Sequence, residues 1–399
     1  MSRQIQEAYI VAATRTPVGK APRGALRNVR PDDLLVAAIR GALAQAPGLD
    51  PAAIEDAIIG CAMPEGEQGF NVARLAVLYA GLPETVGGCT INRFCSSGLN
   101  AIAMAADRIR VGEADVVIAG GTESMSMVPL GGHRPSFNAR LFAGSANLGI
   151  AYGMGITAEK VAEQWRVDRA SQDAFALASH QRALAAQAAG EFAQELTPFT
   201  IEERGADLAT GELRRRERLM DRDEGPRAET TLEVLGKLRP AFAAKGSVTA
   251  GNSSQMSDGA AALILASESA VKRFNLTPLA RFVSFAVRGV PPQIMGIGPK
   301  EAIPAALALA GMGQDDLDWI ELNEAFAAQA LAVMGSLGLD PARVNPLGGA
   351  IALGHPLGAT GAIRAATLVH GLQRRKQRRG MVTMCIGTGM GAAGIFERV

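Results

Sequence analysis

One pattern that occurs twice constrains this chain most. "NRFCSSGLNAIAMAADRIRVGEADVVIAGG" reads turn, helix, buried strand, glycine-rich exit. "NPLGGAIALGHPLGATGAIRAATLVHGLQRR", followed by "GMVTMCIGTGMG", reads the same way. In the first copy Leu99, Ile102, Ala103, Ala106 and Ile109 recur at helical spacing. "DVVIAGG" is a short apolar run, as a strand covered on both faces should be. The first 120 residues continue this grammar. "AYIVAATRT" and "IEDAIIGCA" are strand-like, and "PDDLLVAAIRGALAQA" and "NVARLAVLYAGLP" are helical. Pro31 followed by two acids suits a helix start. Such alternation predicts an α/β fold with helices on both sheet faces. Each copy carries a reactive residue type before its helix, Cys95 in one and His355 in the other. Two such halves packed together would aim both helix N-termini at a shared centre.

Between residues 121 and 249 the texture changes. "MSMVPLGGHRPSFNARLFAGSANLG" is too long and too rich in Gly, Pro and Ser for a simple connector. A helical stretch, "SQDAFALASHQRALAAQAA", and a charged one, "ELRRRERLMDRDEGPR", follow. We read this as an insertion supplying a lid or docking surface, after which "AALILAS" returns to the first sheet. The expected units are 1–120 with 250–270, an inserted loop domain at 121–249, and 271–399.

A net charge of +1 gives no global field toward nucleic acid or an anionic membrane. No run of 18 apolar residues suggests a membrane span. The N-terminus reads as a strand rather than a signal peptide, and "FERV" is no peroxisomal or retention address, so the cytoplasm is expected. The four cysteines, Cys61, Cys89, Cys95 and Cys385, form neither a disulfide framework nor a zinc-ligand spacing, and no metal is expected.

Cys95 at a predicted helix start suits a nucleophile, because the dipole and free N–H groups there favour a thiolate. A small buried hydrophobe is the competing reading. Of four histidines, His180 and His370 lie in amphipathic helices, as surface or packing residues, and His133 lies in the irregular insertion. Only His355 sits in a Gly-Pro-bracketed turn. Cys385 stands where a buried strand meets a glycine loop, the favoured place for function in an α/β sheet. The formal G-x-G-x-x-G at Gly389, Gly391 and Gly394 has only five residues after it, too few for a dinucleotide unit. Asn323 and Glu324 mark a strand-to-helix junction, where a helix cap serves as well as a catalytic role.

Seven stretches together, "NRFCSSGLNA", "AGGTESMS", "LRPAF", "VTAGNSSQMSDGAA", "NEAFAAQA", "GGAIALGHPLGATGA" and "CIGTGMG", resemble the thiolase family in order and spacing over essentially the whole chain. The resemblance implies a thiolase-like α/β fold. Two related βαβαβαββ halves would stack as α-β-α-β-α layers, with a loop domain inserted in the first. It implies Cys95 as the nucleophile that takes the acyl group and His355 as the base that deprotonates it and helps bind the thioester oxygen. Cys385 would move a proton at the α-carbon of acetyl-CoA. Asn323 would hold a water that forms one oxyanion hole with His355, and the N–H groups of Cys95 and Gly387 would form the other. For coenzyme A, a substrate rather than a bound cofactor, it implies Ser254 at the pantetheine, Met154, Phe242, Ala325 and Phe326 along the channel, and Arg227 at the adenine end.

"MGIGPKEAIPAAL" and "CIGTGMG" look more like degradative 3-ketoacyl-CoA thiolases than short-chain biosynthetic acetyl-CoA acetyltransferases, where Thr388 would usually be glycine. "ELNEAFAAQ" also resembles thiolases that cleave 3-oxoadipyl-CoA. The family likeness implies a homodimer or homotetramer, with a β-oxidation hydratase/dehydrogenase as a further partner. A ketoacyl synthase would use one cysteine with two histidines, or with His and Asn. A non-catalytic CoA- or lipid-binding relative would have lost Cys95, His355 or Cys385.

Overall fold

Twelve strands organise the chain in the computed structural model, which describes residues 5–399. They are β1 (Ala8–Arg15), β2 (Gly19–Lys20), β3 (Asp56–Gly60), β4 (Cys89–Ile91), β5 (Val116–Ser124), β6 (Phe199–Ala206), β7 (Leu213–Met220), β8 (Ser257–Ser267), β9 (Ala280–Gly289), β10 (Trp319–Leu322), β11 (Arg379–Ile386) and β12 (Met390–Arg398). The first half runs β1-β8-β5-β3-β4 and the second β9-β12-β11-β10. Strand senses match position by position. β1/β8 and β8/β5 are antiparallel and β5/β3 parallel; β9/β12 and β12/β11 are antiparallel and β11/β10 parallel. The repeat seen in the sequence is thus a repeat of topology. The second half's counterpart of β4 shrinks to one parallel bridge between Ile320 and Val344.

The two half-sheets touch edge to edge at two residue pairs, Tyr9 with Arg281 and Ile10 with Ala280. Their layering follows from side-chain alternation. In β5, Val116 and Ile118 face an outer core with the helices Pro31–Gln45 and Val72–Tyr79. Val117 and Ala119 face a central core holding the helices Ser97–Arg110 and Leu357–Arg375. From the other side Val382 and Met384 of β11 reach that central core, while Met381 joins a third core with the helices Gly298–Ala310 and Ala327–Leu337. Helix, sheet, helix, sheet and helix layers result.

The two central helices lie unusually close. A Cβ on Gly98 would sit 2.7 Å from Ala362 N, and one on Gly361 would collide with the Leu99 backbone. Glycine at both places lets the N-terminal turns of the two halves meet.

The inserted segment contains the helices Met154–Gln164, Arg169–Ala188 and Leu232–Gly236 and the hairpin β6/β7. The charged run of the sequence lies largely on β7, exposed along its length except at Met220. Among the described residues no helix is long and apolar enough to cross a membrane. Nor do three or more His, Cys, Asp or Glu side chains gather as a metal site among them.

Candidate active site

Cys95 is held by a tight turn, Phe94–Ser96, directly before the helix Ser97–Arg110. Ser97 stitches this turn. Its hydroxyl donates to Phe94 O at 2.7 Å and accepts from Arg93 N at 2.8 Å. Phe94 adopts φ 45°, a left-handed conformation uncommon outside glycine, and Asn92 supports it by accepting from Phe94 N at 2.8 Å. The backbone N–H groups of Gly387 and of Cys95 itself converge on Sγ, yet burial dominates and pushes the thiol up to about 11. At rest, desolvation outweighs the helix N-terminus, contrary to the stabilised thiolate that the helix start alone would give.

His355 lies across the halves, between the short helix Ala350–Leu353 and the helix Leu357–Arg375. Gly354 before it has φ 94°, and a Cβ there would strike Ser257. The His355 N–H donates to Gln255 O and Ser257 Oγ, at 3.2 and 3.1 Å. Its Nδ1 lies 2.6 Å from Thr360 Oγ1, and that hydroxyl donates onward to Pro356 O at 3.1 Å. Thr360 therefore accepts from Nδ1–H, which leaves Nε2 as the lone-pair nitrogen. Burial, with Arg364 adding to it, holds the imidazole neutral, with its pKa down to about 3. Asn323 Nδ2 reaches Nε2 directly at 3.4 Å.

Asn323 is not a helix cap, since Phe326 takes that place before Ala327–Leu337. Glu324 turns away and accepts from Ser179 Oγ, Asn345 Nδ2 and Ile351 N, anchoring the inserted segment's long helix to the second half. Cys385, fully buried, sits near the end of β11, one residue before the strand's last residue, Ile386. Burial and the neighbouring Cys95 raise its pKa well above the ordinary thiol value. The following glycine loop turns β11 back into β12, with Thr388 and Gly389 at φ 67° and 92°. No helix follows, which accounts for the glycine pattern without a nucleotide.

A cavity of about 350 Å³ opens onto Cys95 and His355, with Met154, Phe242, Ser254, Ala325 and Phe326 in its wall. Phe242 and Phe326 meet edge to face at 6.0 Å. Cys385, Asn323 and Gly387 are not in the wall but touch it: Cys385 packs with Met154, Ala325 and Phe326, Asn323 reaches His355, and the Gly387 N–H reaches Cys95. Arg227 does not reach the cavity wall; its backbone N–H donates to His180 Nδ1 at 3.2 Å. His180 and His370 are buried packing residues, and His133 is surface-exposed near Glu67. Sequence reasoning missed the lining residues Met125, Leu130, Met256 and Met295, and it missed Thr360. Apolar side chains carry no chemical signature. Thr360 could have been found five residues after His355, on the first turn of the helix that follows it.

A duplicated α/β fold that brings a cysteine and a neutral histidine from opposite halves to one apolar cavity, with a second thiol behind, defines a class of acyl-transferring cysteine enzymes. The thiolase N-terminal domain model matches residues 8–269 and the thiolase C-terminal domain model residues 276–398. The chain belongs to the thiolase family. It is 51% identical over 395 residues to the 3-ketoacyl-CoA thiolase of Bacillus subtilis, covering 98% of this chain and 100% of that one. To the β-ketoadipyl-CoA thiolase of Pseudomonas aeruginosa it is 46% identical over 410 residues, covering 99% and 100%. Human mitochondrial 3-ketoacyl-CoA thiolase superimposes with a TM-score of 0.89 at 40% identity, covering 99% of each chain. Its structure in complex with CoA gives 0.87 at 40% identity, covering 100% of each.

Proposed function

We propose that this enzyme cleaves 3-ketoacyl-CoA with coenzyme A, giving acetyl-CoA and a shortened acyl-CoA. The observation that carries the reading is the pairing of a neutral Cys95 thiol with a neutral His355 imidazole at one cavity, with the Cys385 thiol behind it. Cys95 Sγ attacks the keto carbon at C3 and its proton passes to His355 Nε2. The oxygen that becomes negative is met by the new imidazolium N–H and by the N–H groups of Cys95 and Gly387. The C2–C3 bond then breaks, leaving the acyl group on Cys95 and an enolate on C2. Cys385 gives its proton to C2, and acetyl-CoA leaves. A second CoA thiol attacks the acyl-cysteine and its proton restores Cys385. The departing Cys95 thiolate recovers its own proton from His355. Asn323, touching Nε2, keeps the imidazole aimed along this path.

Among the described residues, Cys95 and His355 are the only ionisable side chains in the cavity wall. An ω-carboxylate would enter that wall without a cationic partner, at high desolvation cost. This favours uncharged acyl chains over 3-oxoadipyl-CoA. A panel of 3-ketoacyl-CoAs, from acetoacetyl-CoA to longer chains and 3-oxoadipyl-CoA, tests it by CoA-dependent loss of enolate absorbance. Turnover should favour uncharged chains. Loss of signal with none of them would overturn the thiolase reading, and preference for 3-oxoadipyl-CoA would overturn the chain assignment.

The division into 1–120 with 250–270, 121–249 and 271–399 belongs to the same proposal, supported by the segregation of β1, β3, β4, β5 and β8 from β9 to β12. We further infer a homodimer or homotetramer in the cytoplasm, supplied by a hydratase/dehydrogenase. Among the described residues the edge strand β4 pairs only with β3, and Phe70, next to the Asn71 that bonds Gly88 and Thr90 there, is 98% exposed, which supports self-association.

A further inference from the structure

Glu123, at the end of β5, is 1% exposed and takes no direct part in the chemistry above. Its Oε2 accepts from Ala62 N at 2.7 Å and from Gly358 N at 2.8 Å. Its Oε1 accepts from Met63 N at 3.2 Å, from Gln68 Nε2, and from Cys61 Sγ at 3.8 Å. Every one of these partners donates, so the ionised, acceptor-only carboxylate is the form that satisfies them. Burial raises its pKa, and the N–H donors pull it back. Gln68 is itself fixed, accepting from Ser124 N at 2.9 Å.

Two of these contacts together bridge the halves: Ala62 and Glu123 belong to the first and Gly358 to the second. Ala62 belongs to the loop after β3 and packs with Leu357 against Cys95. Gly358 is the second residue of the helix that follows His355. A Cβ on Gly358 would sit 2.8 Å from Glu123 Oε2 and 2.6 Å from Cys61 Cα, so glycine permits the approach. The positive end of that helix is directed at Glu123. The helix beginning at Ser97 keeps its own N-terminus for Cys95.

We propose that Glu123 is a positioning residue that bolts the loop behind Cys95 to the turn carrying His355, while its buried charge opposes the Cys95 thiolate in the free enzyme. This rests on Cys95 and His355 acting as nucleophile and base. The carboxylate sets the relative position of two groups that come from different halves, and its charge adds to the burial that keeps the thiol protonated. The titratable groups around the thiol are Glu123, Cys61, Cys385 and His355, and of these Glu123 is surrounded by donors alone, which calls for its ionised form.

The variants Glu123→Gln and Glu123→Asp separate the two roles. Glu123→Gln keeps the length and removes the charge; Glu123→Asp keeps the charge but is a methylene too short to bridge Ala62 and Gly358. Both should lose kcat by roughly tenfold to a hundredfold with KM little changed, because a displacement of about 1 Å costs that much. The pH profile of Cys95 alkylation by iodoacetamide should move to lower pH in Glu123→Gln alone. Unchanged kcat in both variants, or an alkylation profile that Glu123→Gln leaves in place, overturns the proposal. The alkylation profile needs no turnover, so it stands even if the wild-type enzyme cleaves no 3-ketoacyl-CoA. If Glu123→Gln is recovered unfolded, hydrogen exchange on the wild-type enzyme decides instead. The Ala62, Met63 and Gly358 amides should exchange together as one unit, and rapid exchange of Gly358 alone would contradict the bridge.

Discussion

Thr360 Oγ1 lies 2.6 Å from His355 Nδ1 and donates its own proton to Pro356 O. One hydroxyl thereby fixes the imidazole tautomer and leaves Nε2 free as base. Thr360→Val should keep the fold and lose kcat about tenfold or more, since general-base catalysis of this kind contributes 10²–10⁴-fold. Thr360→Ser should recover most of it. Steady-state kinetics on both variants checks this; equal activity of Val and Ser would place the tautomer under another control.

Burial holds the Cys95 thiol at about 11. The raised value means the protonated thiol persists through neutral and mildly alkaline pH. Between pH 7 and 9, then, alkylation of Cys95 in the free enzyme should climb about tenfold per pH unit, following the thiolate fraction. A rate that has levelled off by pH 7 would mean a thiolate at rest.

The two thiols should separate by reaction step. Cys385→Ser should cripple carbon–carbon cleavage and, because Cys385 also takes the CoA proton, slow acyl exchange between acyl-CoA and CoA while Cys95 can still be acylated. Cys95→Ser should lose both. Radiolabelled CoA exchange measured beside thiolysis distinguishes the outcomes, and exchange at the wild-type rate in Cys385→Ser would take Cys385 out of the acyl-transfer step.

At the crossing of the central helices, Gly361→Ala drives a methyl into the Leu99 backbone. Overpacking of this sort costs about 1–3 kcal/mol, and urea denaturation should show it as a lower midpoint. An unchanged midpoint would mean that the helices can separate freely.

The duplication was legible because a period-3.6 helix and a buried strand each leave a local pattern around Cys95 and His355. The reactive side chains were legible because thiols and imidazoles are scarce and sat in glycine-bracketed turns. Other parts lacked local signatures. Val344 forms one bridge instead of a strand, and no periodicity marks a single pair. Glu123 reads in sequence as one acid among many; its role depends on Ala62 and Gly358, which reach it from opposite halves. The Cys95 environment was misjudged for the same reason. The helix start is visible in sequence, whereas the burial that outweighs it comes from Ala62 and Leu357.

The central claim is that Cys95 carries the acyl group. Mixing the enzyme with a 3-ketoacyl-CoA in the absence of free CoA, quenching in acid and mapping peptides by mass spectrometry tests it directly. The account predicts one acyl group on the peptide containing Cys95, removed when CoA is added before the quench. An unmodified Cys95, or the acyl group on Cys385 instead, would contradict it.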